Sequence, residues 1–379
     1  MKSGEIYLDN NASSRVLPGV AEKVAEVLAL TGNASSPHSC GREIRREVEE
    51  ARKLFASFVG ADAEEIVFTS SGTEANNMAL VSAVAGVKKP KVVTTVVEHS
   101  SVKKMCSRLE IDGAEVARVG VDCGGIVDME EMEKQIASGA AIVSVQWVNN
   151  ETGVIQDVET IAAMCREKGV AFHTDAAQAP GKMPVDSRAL GADFSTFTGH
   201  KFNALAGCGA VFVKDRLMLG QMMFGGFQEG GFRPGTENVA GIAAMGKAAE
   251  IRAADVEDTA RRLAEMRDFF EKAVLESVAG TSVNGDPERR VPNTANIVFR
   301  ETDGEKMVAV LDSLGLKCSQ SSACTSSDPS PSYVLTAMGL SGEDAKSSVR
   351  FSFGVDNKME DARTAAELVA RACAECGRQ

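Results

Sequence analysis

Two stretches of the sequence place residue types together that act in concert in chemistry. Phe172-His173-Thr174-Asp175-Ala176-Ala177-Gln178 reads as an apolar strand opening onto an acid and an amide. Asp175 is followed 26 residues later by Lys201, where the strand Phe194–Phe197 runs out in Thr198-Gly199-His200-Lys201. An aspartate and a later lysine, both at strand ends, are what a pyridoxal phosphate enzyme requires. The lysine takes the cofactor as a Schiff base, and the aspartate keeps the pyridine nitrogen protonated so that the ring withdraws electrons. Taken singly, Asp175 also suits a helix cap or turn, and Lys201 a solvated surface.

Other strand ends add to the pair. Thr69-Ser70-Ser71-Gly72-Thr73-Glu74 follows a strand and opens a helix, so its backbone N–H groups form an anion site suited to phosphate. Val97-Glu98-His99-Ser100 puts a histidine after a third strand, and Val148-Asn149-Asn150-Glu151 puts two amides after another. Five strand ends thus supply phosphate donors, a histidine, an amide, an acid and a lysine.

These residues need a scaffold that brings strand ends together. Strand-like runs at Ile66–Thr69, Lys91–Val96, Ala141–Gln146, Val170–Thr174, Phe194–Phe197 and Ala210–Val213 alternate with helical patterns at Glu74–Ala85, Ser100–Leu109, Met129–Ala137 and Val158–Lys168. The alternation predicts an α/β fold with a mostly parallel sheet flanked by helices, and ligands beyond the strands' carboxyl ends. After Asn238 the texture changes to long helical patterns at about 238–254 and 258–278, short strands, and a last helix near 358–374. The segment Ser313 to Ser332 holds eight Ser and two Pro and predicts a loop. A large domain is expected at 16–255, with 1–15 and 256–379 forming a smaller α+β domain.

Composition is that of a globular chain: 379 residues, 44% hydrophobic and 25% charged. The net charge of −12 argues against a nucleic-acid or anionic-membrane surface. No apolar run approaches the roughly 20 residues that span a bilayer. Met1–Glu5 passes into the strand-like Ile6-Tyr7-Leu8 without a signal-peptide core, so a cytoplasmic location is expected. The nine cysteines are odd in number and irregularly spaced, which predicts free thiols. Cys373 and Cys376 form a C-x-x-C with no second pair or nearby His, so no zinc site is expected.

Across nearly its whole length, from Tyr7-Leu8-Asp9-Asn10-Asn11-Ala12 through Gly199-His200-Lys201 to Ser348-Val349-Arg350-Phe351-Ser352, the chain resembles a known group. These are the cysteine desulfurases of the nitrogen-fixation and iron–sulfur-assembly type, members of the fold-type-I pyridoxal-phosphate enzymes. The most specific mark is Ser321-Ser322-Ala323-Cys324-Thr325-Ser326, followed by Pro331-Ser332-Tyr333-Val334-Leu335. The resemblance implies that Lys201 binds the cofactor and Asp175 partners its ring nitrogen. Gln178 and Asn150 would contact the ring hydroxyl or the substrate, and His99 would stack on the ring and move protons. Gly72, Thr73, Thr198 and His200 would hold the phosphate, joined by Thr236 from the second subunit of a homodimer. Arg350 would grip the carboxylate of L-cysteine bidentately. Cys324, as a thiolate on the loop at about 313–332, would take the sulfur as a persulfide, release alanine, and pass the sulfur to an acceptor protein such as a cluster scaffold or a thiolation enzyme. An aminotransferase of the same superfamily needs no such cysteine loop; a selenocysteine lyase or a non-catalytic sulfur-relay subunit are the remaining rivals. Two stretches depart from the pattern. Ala204-Leu205-Ala206-Gly207 stands where relatives have Gly-Pro-Lys-Gly, and Gly230 stands where they carry Arg.

Overall fold

The computed structural model describes residues 5–320 and 330–376. The first strand, β1 (Ile6–Tyr7), is short. It is followed by two helices, Pro18–Leu28 and Ser39–Phe58. Then come β2 (Ile66–Thr69), β3 (Lys91–Thr95), β4 (Glu115–Val119), β5 (Ile142–Gln146), β6 (Ala171–Asp175), β7 (Phe194–Thr198) and β8 (Gly209–Val213). They form one seven-stranded sheet in the order β2-β8-β7-β6-β5-β3-β4. β8 alone runs antiparallel to its neighbours, so the other six strands point their carboxyl ends to the same edge.

The strand runs read from the sequence reappear with ends shifted by one residue at most. β4 was not among them. Its sequence Glu-Val-Ala-Arg-Val carries charge on a half-exposed edge, where the apolar run that marks a central strand is not required. By contrast β2, β5, β7 and β8 are buried along their whole length, as strands covered by helices on both faces must be.

Packing behind β7 fixes the turn that carries Lys201. Phe55, on the helix Ser39–Phe58, meets the edge of Phe197 at 5.5 Å and stacks on Phe202 at 5.9 Å. The turn Thr198–Phe202 is therefore clamped at both ends by a buried aromatic cluster, which holds Lys201 on an otherwise polar edge. Gly209 allows the turn before the helix Gly72–Val84 to lie against β8, since a Cβ there would stand 2.6 Å from the Ser71 carbonyl carbon.

A second core gathers Leu8, Phe270, Ile297, Leu311, Phe351 and Val369. It lies beneath a three-stranded antiparallel sheet of β9 (Thr281–Val283), β10 (Thr294–Phe299) and β12 (Ser348–Ser352). β11 (Leu316–Lys317) pairs in parallel with β1. This corrects the expectation of an unbroken loop from 313 to 332: Leu316 is fully buried in the second core, and that burial draws the backbone into a strand. The last helix, Met359–Cys376, holds both Cys373 and Cys376. Among the described residues, no helix is long and apolar enough to cross a membrane, and no cluster of ligand side chains could hold a metal ion.

Candidate active site

Asp175 ends β6 and Thr198 ends β7, while His99 and Asn150 follow the carboxyl ends of β3 and β5. Asp175 is 3% exposed and its carboxylate is doubly held. Asn76 Nδ2 donates to Oδ2 at 2.8 Å, and the Ala177 N–H donates to Oδ1 at 3.0 Å. Gly72 and Thr73 begin the helix Gly72–Val84, with Ser71 as its cap. The Gly72 Cα faces Thr198, whose Cβ would lie 3.4 Å from a Cβ at position 72. The two phosphate candidates from β2 and β7 therefore lie side by side.

The segment after β1 crosses this edge and ties it together. The backbone carbonyl of Asn11 accepts hydrogen bonds from Lys201 Nζ at 2.5 Å and from Gln178 Nε2 at 3.0 Å, and Ala12 O accepts from Lys201 Nζ at 2.9 Å. The Asn11 side chain reaches Thr294 at 2.9 Å and accepts from Lys182 Nζ at 3.1 Å. Lys182 also donates to Gln178 Oε1. Arg350, on β12 and 1% exposed, donates to Asp9 Oδ1 at 2.6 Å and to Asn150 O at 2.9 Å. Among the described residues its buried Nε has no hydrogen-bond partner, so this guanidinium retains a donor for a further anion.

Burial sets the charge of several groups here. Lys182 is pushed well below its ordinary value by burial, then by the nearby charges of Lys201 and Arg350. His200 is lowered to about 4 by burial, with Lys201 and Lys182 adding to the effect. Glu98, beside His99, is raised to about 8 by burial against the opposing hydrogen bonds of Gln146 N–H and Thr95. Thr236 stands apart from Lys201. It is exposed, on the rim of a cavity of about 270 Å³ that it shares with Ser70, Gly207 and Arg233. At Gly230 the backbone has φ +69°, and a Cβ would come 3.1 Å from Arg216 Nη1, so a neighbouring guanidinium already fills the space beside this turn.

Pyridoxal phosphate suits the chemistry of this donor set. Gly72, Thr73, Thr198 and His200 could hold its phosphate, Asp175 its ring nitrogen and Lys201 its aldehyde carbon, with Gln178, Asn150 and His99 around the ring. Cys324 lies outside the described residues, but its flanks do not. Ser319 pairs with Arg350 through reciprocal backbone hydrogen bonds of 2.7 and 3.2 Å. Beyond the undescribed stretch, Ser332 Oγ donates to Glu151 Oε2 at 2.6 Å, and Tyr333 OH donates to Glu98 O at 2.6 Å. Both flanks are thus bound to residues of the site. The reading of the sequence assigned no part to Asn11, Lys182, Asn76 or Ser101. Asn11 sat inside a quoted motif, and Lys182 stands four residues after Gln178, yet neither spacing announces a shared hydrogen bond.

Comparison with known proteins decides the lineage: residues 6–364 match the aminotransferase class-V family. The chain belongs to that family. Its members depend on pyridoxal phosphate. A cysteine desulfurase of a Nostoc species is 40% identical over 349 residues, covering 92% of this chain and 87% of the relative. The solved structure of a NifS-like protein superposes with a TM-score of 0.91 at 29% identity, covering 98% of this chain and all of that one. A structure described as SspA in complex with cysteine gives a TM-score of 0.81 at 30% identity, covering 92% of this chain and 98% of that one. The fold is therefore that of the class-V branch of fold-type-I enzymes.

Proposed function

We propose that this protein is a pyridoxal-phosphate-dependent cysteine desulfurase that converts L-cysteine to L-alanine and takes the sulfur onto Cys324 as a persulfide. The observation that carries this reading is the anchoring of both flanks of the Cys324 segment. One flank is paired with Arg350 and the other is bonded to Glu98 and Glu151. The described residues on either side of that segment thus adjoin the arginine proposed to bind the substrate and the turns that carry His99 and Asn150. The cysteine desulfurase relatives and the cysteine-bound structure support the same substrate.

When bound, pyridoxal phosphate supplies an electron sink for negative charge developing at the substrate α-carbon. Lys201 carries the cofactor and Asp175 steadies its ring nitrogen. The phosphate is held by Gly72, Thr73, Thr198 and His200. Arg350 orients the substrate carboxylate bidentately, with Nε and a remaining N–H of its fork, while Asp9 and Asn150 hold the guanidinium in place. His99 covers the ring and handles protons, and Gln178 and Asn150 contact the ring hydroxyl or the substrate. The Cys324 thiolate forms a bond to the substrate sulfur as the substrate's carbon–sulfur bond breaks, and the carbon skeleton takes up a proton and leaves as alanine.

Thr236 acts from the second subunit of a homodimer. In support, Leu217, Phe224 and Phe227 are 90%, 85% and 94% exposed on the stretch leading to Thr236, an apolar surface suited to burial by another copy. The core that gathers Ile6 and Leu8 with residues from Leu263 to Cys376 favours a small domain built from 1–15 and 256–379 beside a large one at 16–255. The enzyme works in the cytoplasm and hands its sulfur to an acceptor protein, a cluster scaffold or a thiolation enzyme.

Cys324→Ser tests the assignment because it parts binding from sulfur transfer. The variant should keep its bound cofactor and change its absorbance when cysteine is added, since no other proposed contact uses the thiol. Alanine release should fall by orders of magnitude, because a hydroxyl stays protonated near neutral pH. Mass spectrometry after a cysteine pulse should find the added sulfur on Cys324 of the native chain. Desulfuration at the native rate by the variant would remove Cys324 from the mechanism.

A further inference from the structure

Behind the site, four side chains form a continuous hydrogen-bonded line. His99 Nδ1 lies 2.7 Å from Ser101 Oγ; Asn76 Nδ2 lies 2.8 Å from the same Oγ and 2.8 Å from Asp175 Oδ2. Asn76, Ser101 and Asp175 are 1%, 7% and 3% exposed, so water has little access to replace any partner. The line joins the histidine after β3 to the acid at the end of β6 through a residue on each of two helices.

The direction of every proton in the line follows from its ends. An ionised carboxylate only accepts, so Asn76 must present its NH₂ to Asp175, and the second N–H of that group is directed to Ser101 Oγ. The Ser101 hydroxyl, already an acceptor, then donates to His99 Nδ1. The backbone N–H of Ser101, an obligate donor, points at the same Nδ1 from 3.3 Å. Two donors on Nδ1 leave no room for a proton there. The arrangement has a cost, since the opposite face of the Asn76 amide, Oδ1, is buried with no hydrogen-bond partner among the described residues. A buried acceptor is left unmade only where something else requires the amide's orientation, and here that requirement is the carboxylate of Asp175.

We propose that Asn76 and Ser101 are positioning residues that fix neutral His99 as its Nε2–H tautomer and couple it to Asp175. The inference rests on the desulfurase reading only for its consequence: the imidazole then meets cofactor and substrate as a hydrogen-bond donor at Nε2, not as an acceptor. Neither Asn76 nor Ser101 touches the reacting atoms.

The full-length, cofactor-loaded enzyme labelled with ¹⁵N-histidine tests this directly, because the chain has only four histidines. Loss of one set of resonances in His99→Gln assigns His99. The native enzyme should show a protonated Nε2 and an unprotonated Nδ1. In Ser101→Ala a population protonated at Nδ1 should appear, and Ser101→Thr, which restores the hydroxyl, should remove it again. Asn76→Ala, read in parallel, should act like Ser101→Ala by freeing the hydroxyl to turn away. Turnover of L-cysteine by Ser101→Ala should drop roughly tenfold in kcat, with KM within about twofold, because Arg350 lies outside the line. A native His99 protonated at Nδ1, or Ser101→Ala and Asn76→Ala spectra identical to the native one, would overturn the proposal. A native enzyme with the expected tautomer but no alanine production from cysteine would instead refute the desulfurase reading and leave the tautomer assignment standing.

Discussion

His173 offers a quantitative test of how the sheet around Asp175 is built. It lies on β6, wholly buried, with Ser144 Oγ at 2.8 Å from Nδ1 and Thr196 Oγ1 at 3.1 Å from Nε2. Burial lowers its pKa from the ordinary 6.5 to about 4, although the neighbouring charge of Asp175 acts the other way. In the unfolded chain the same ring regains its ordinary value. Between these two pH values the unfolded state binds a proton that the folded state refuses, so stability falls as the pH falls through that window. At 1.36 kcal/mol per pH unit, the gap corresponds to roughly 3 kcal/mol lost between about pH 6.5 and pH 4. His173→Asn keeps an amide facing Ser144 and removes the titration. Urea unfolding of both proteins, saturated with cofactor and at one chain concentration, should therefore give a stability gap that narrows by about that amount as the pH is lowered from 7 to 4. A gap that stays constant across this range would show that His173 is not held neutral by its burial, and the reasoning would fail.

Glu98 should behave in the opposite sense. Its pKa is raised to about 8 from 4.5, so the folded state keeps a proton that the unfolded state has released, and native stability falls as the pH rises through that interval. Glu98→Gln mimics the neutral acid and should gain stability relative to the native chain between pH 4.5 and 8, read by the same urea titrations. Arg350→Lys loses the planar fork, and the KM for L-cysteine should rise roughly a hundredfold, in line with the cost of breaking a buried charge pair. An unchanged KM would place the carboxylate elsewhere. Lys201→Ala should leave no lysine to which borohydride can fix the cofactor, and peptide mapping that finds it on Lys182 or another lysine would reassign the attachment point.

Much of the scaffold could be read locally. The strand runs at Ile66–Thr69 and Phe194–Phe197 are rich in β-branched and aromatic residues and flanked by turn residues, and the helices Met129–Ala137 and Val158–Lys168 begin at Asp caps that the backbone uses directly. Each of these signals lies within a few residues of the element it specifies. β4 and β11 were missed because tertiary position made them strands: one is a charged edge completed by β3, the other a two-residue pair with β1. Likewise Asp175, Lys201, His99 and the Gly72 turn announce themselves as strand-end residues, and strand ends converge in any open parallel sheet.

What the sequence alone determined, then, was the alternation that makes the sheet and the candidate residue types at its carboxyl edge. The contacts among those residues were decided by tertiary structure. Lys182 meets Asn11 across 171 positions, Asn76 meets Asp175 across 99, and Arg350 meets Asp9 across 341. No local period encodes such pairs, because a side chain's hydrogen-bonding partner depends on which distant backbone burial brings alongside it. The lowered pKa values of Lys182 and His173 have the same origin: both are ordinary titratable residues in the sequence, and only exclusion from water by the assembled core disfavours the charged form.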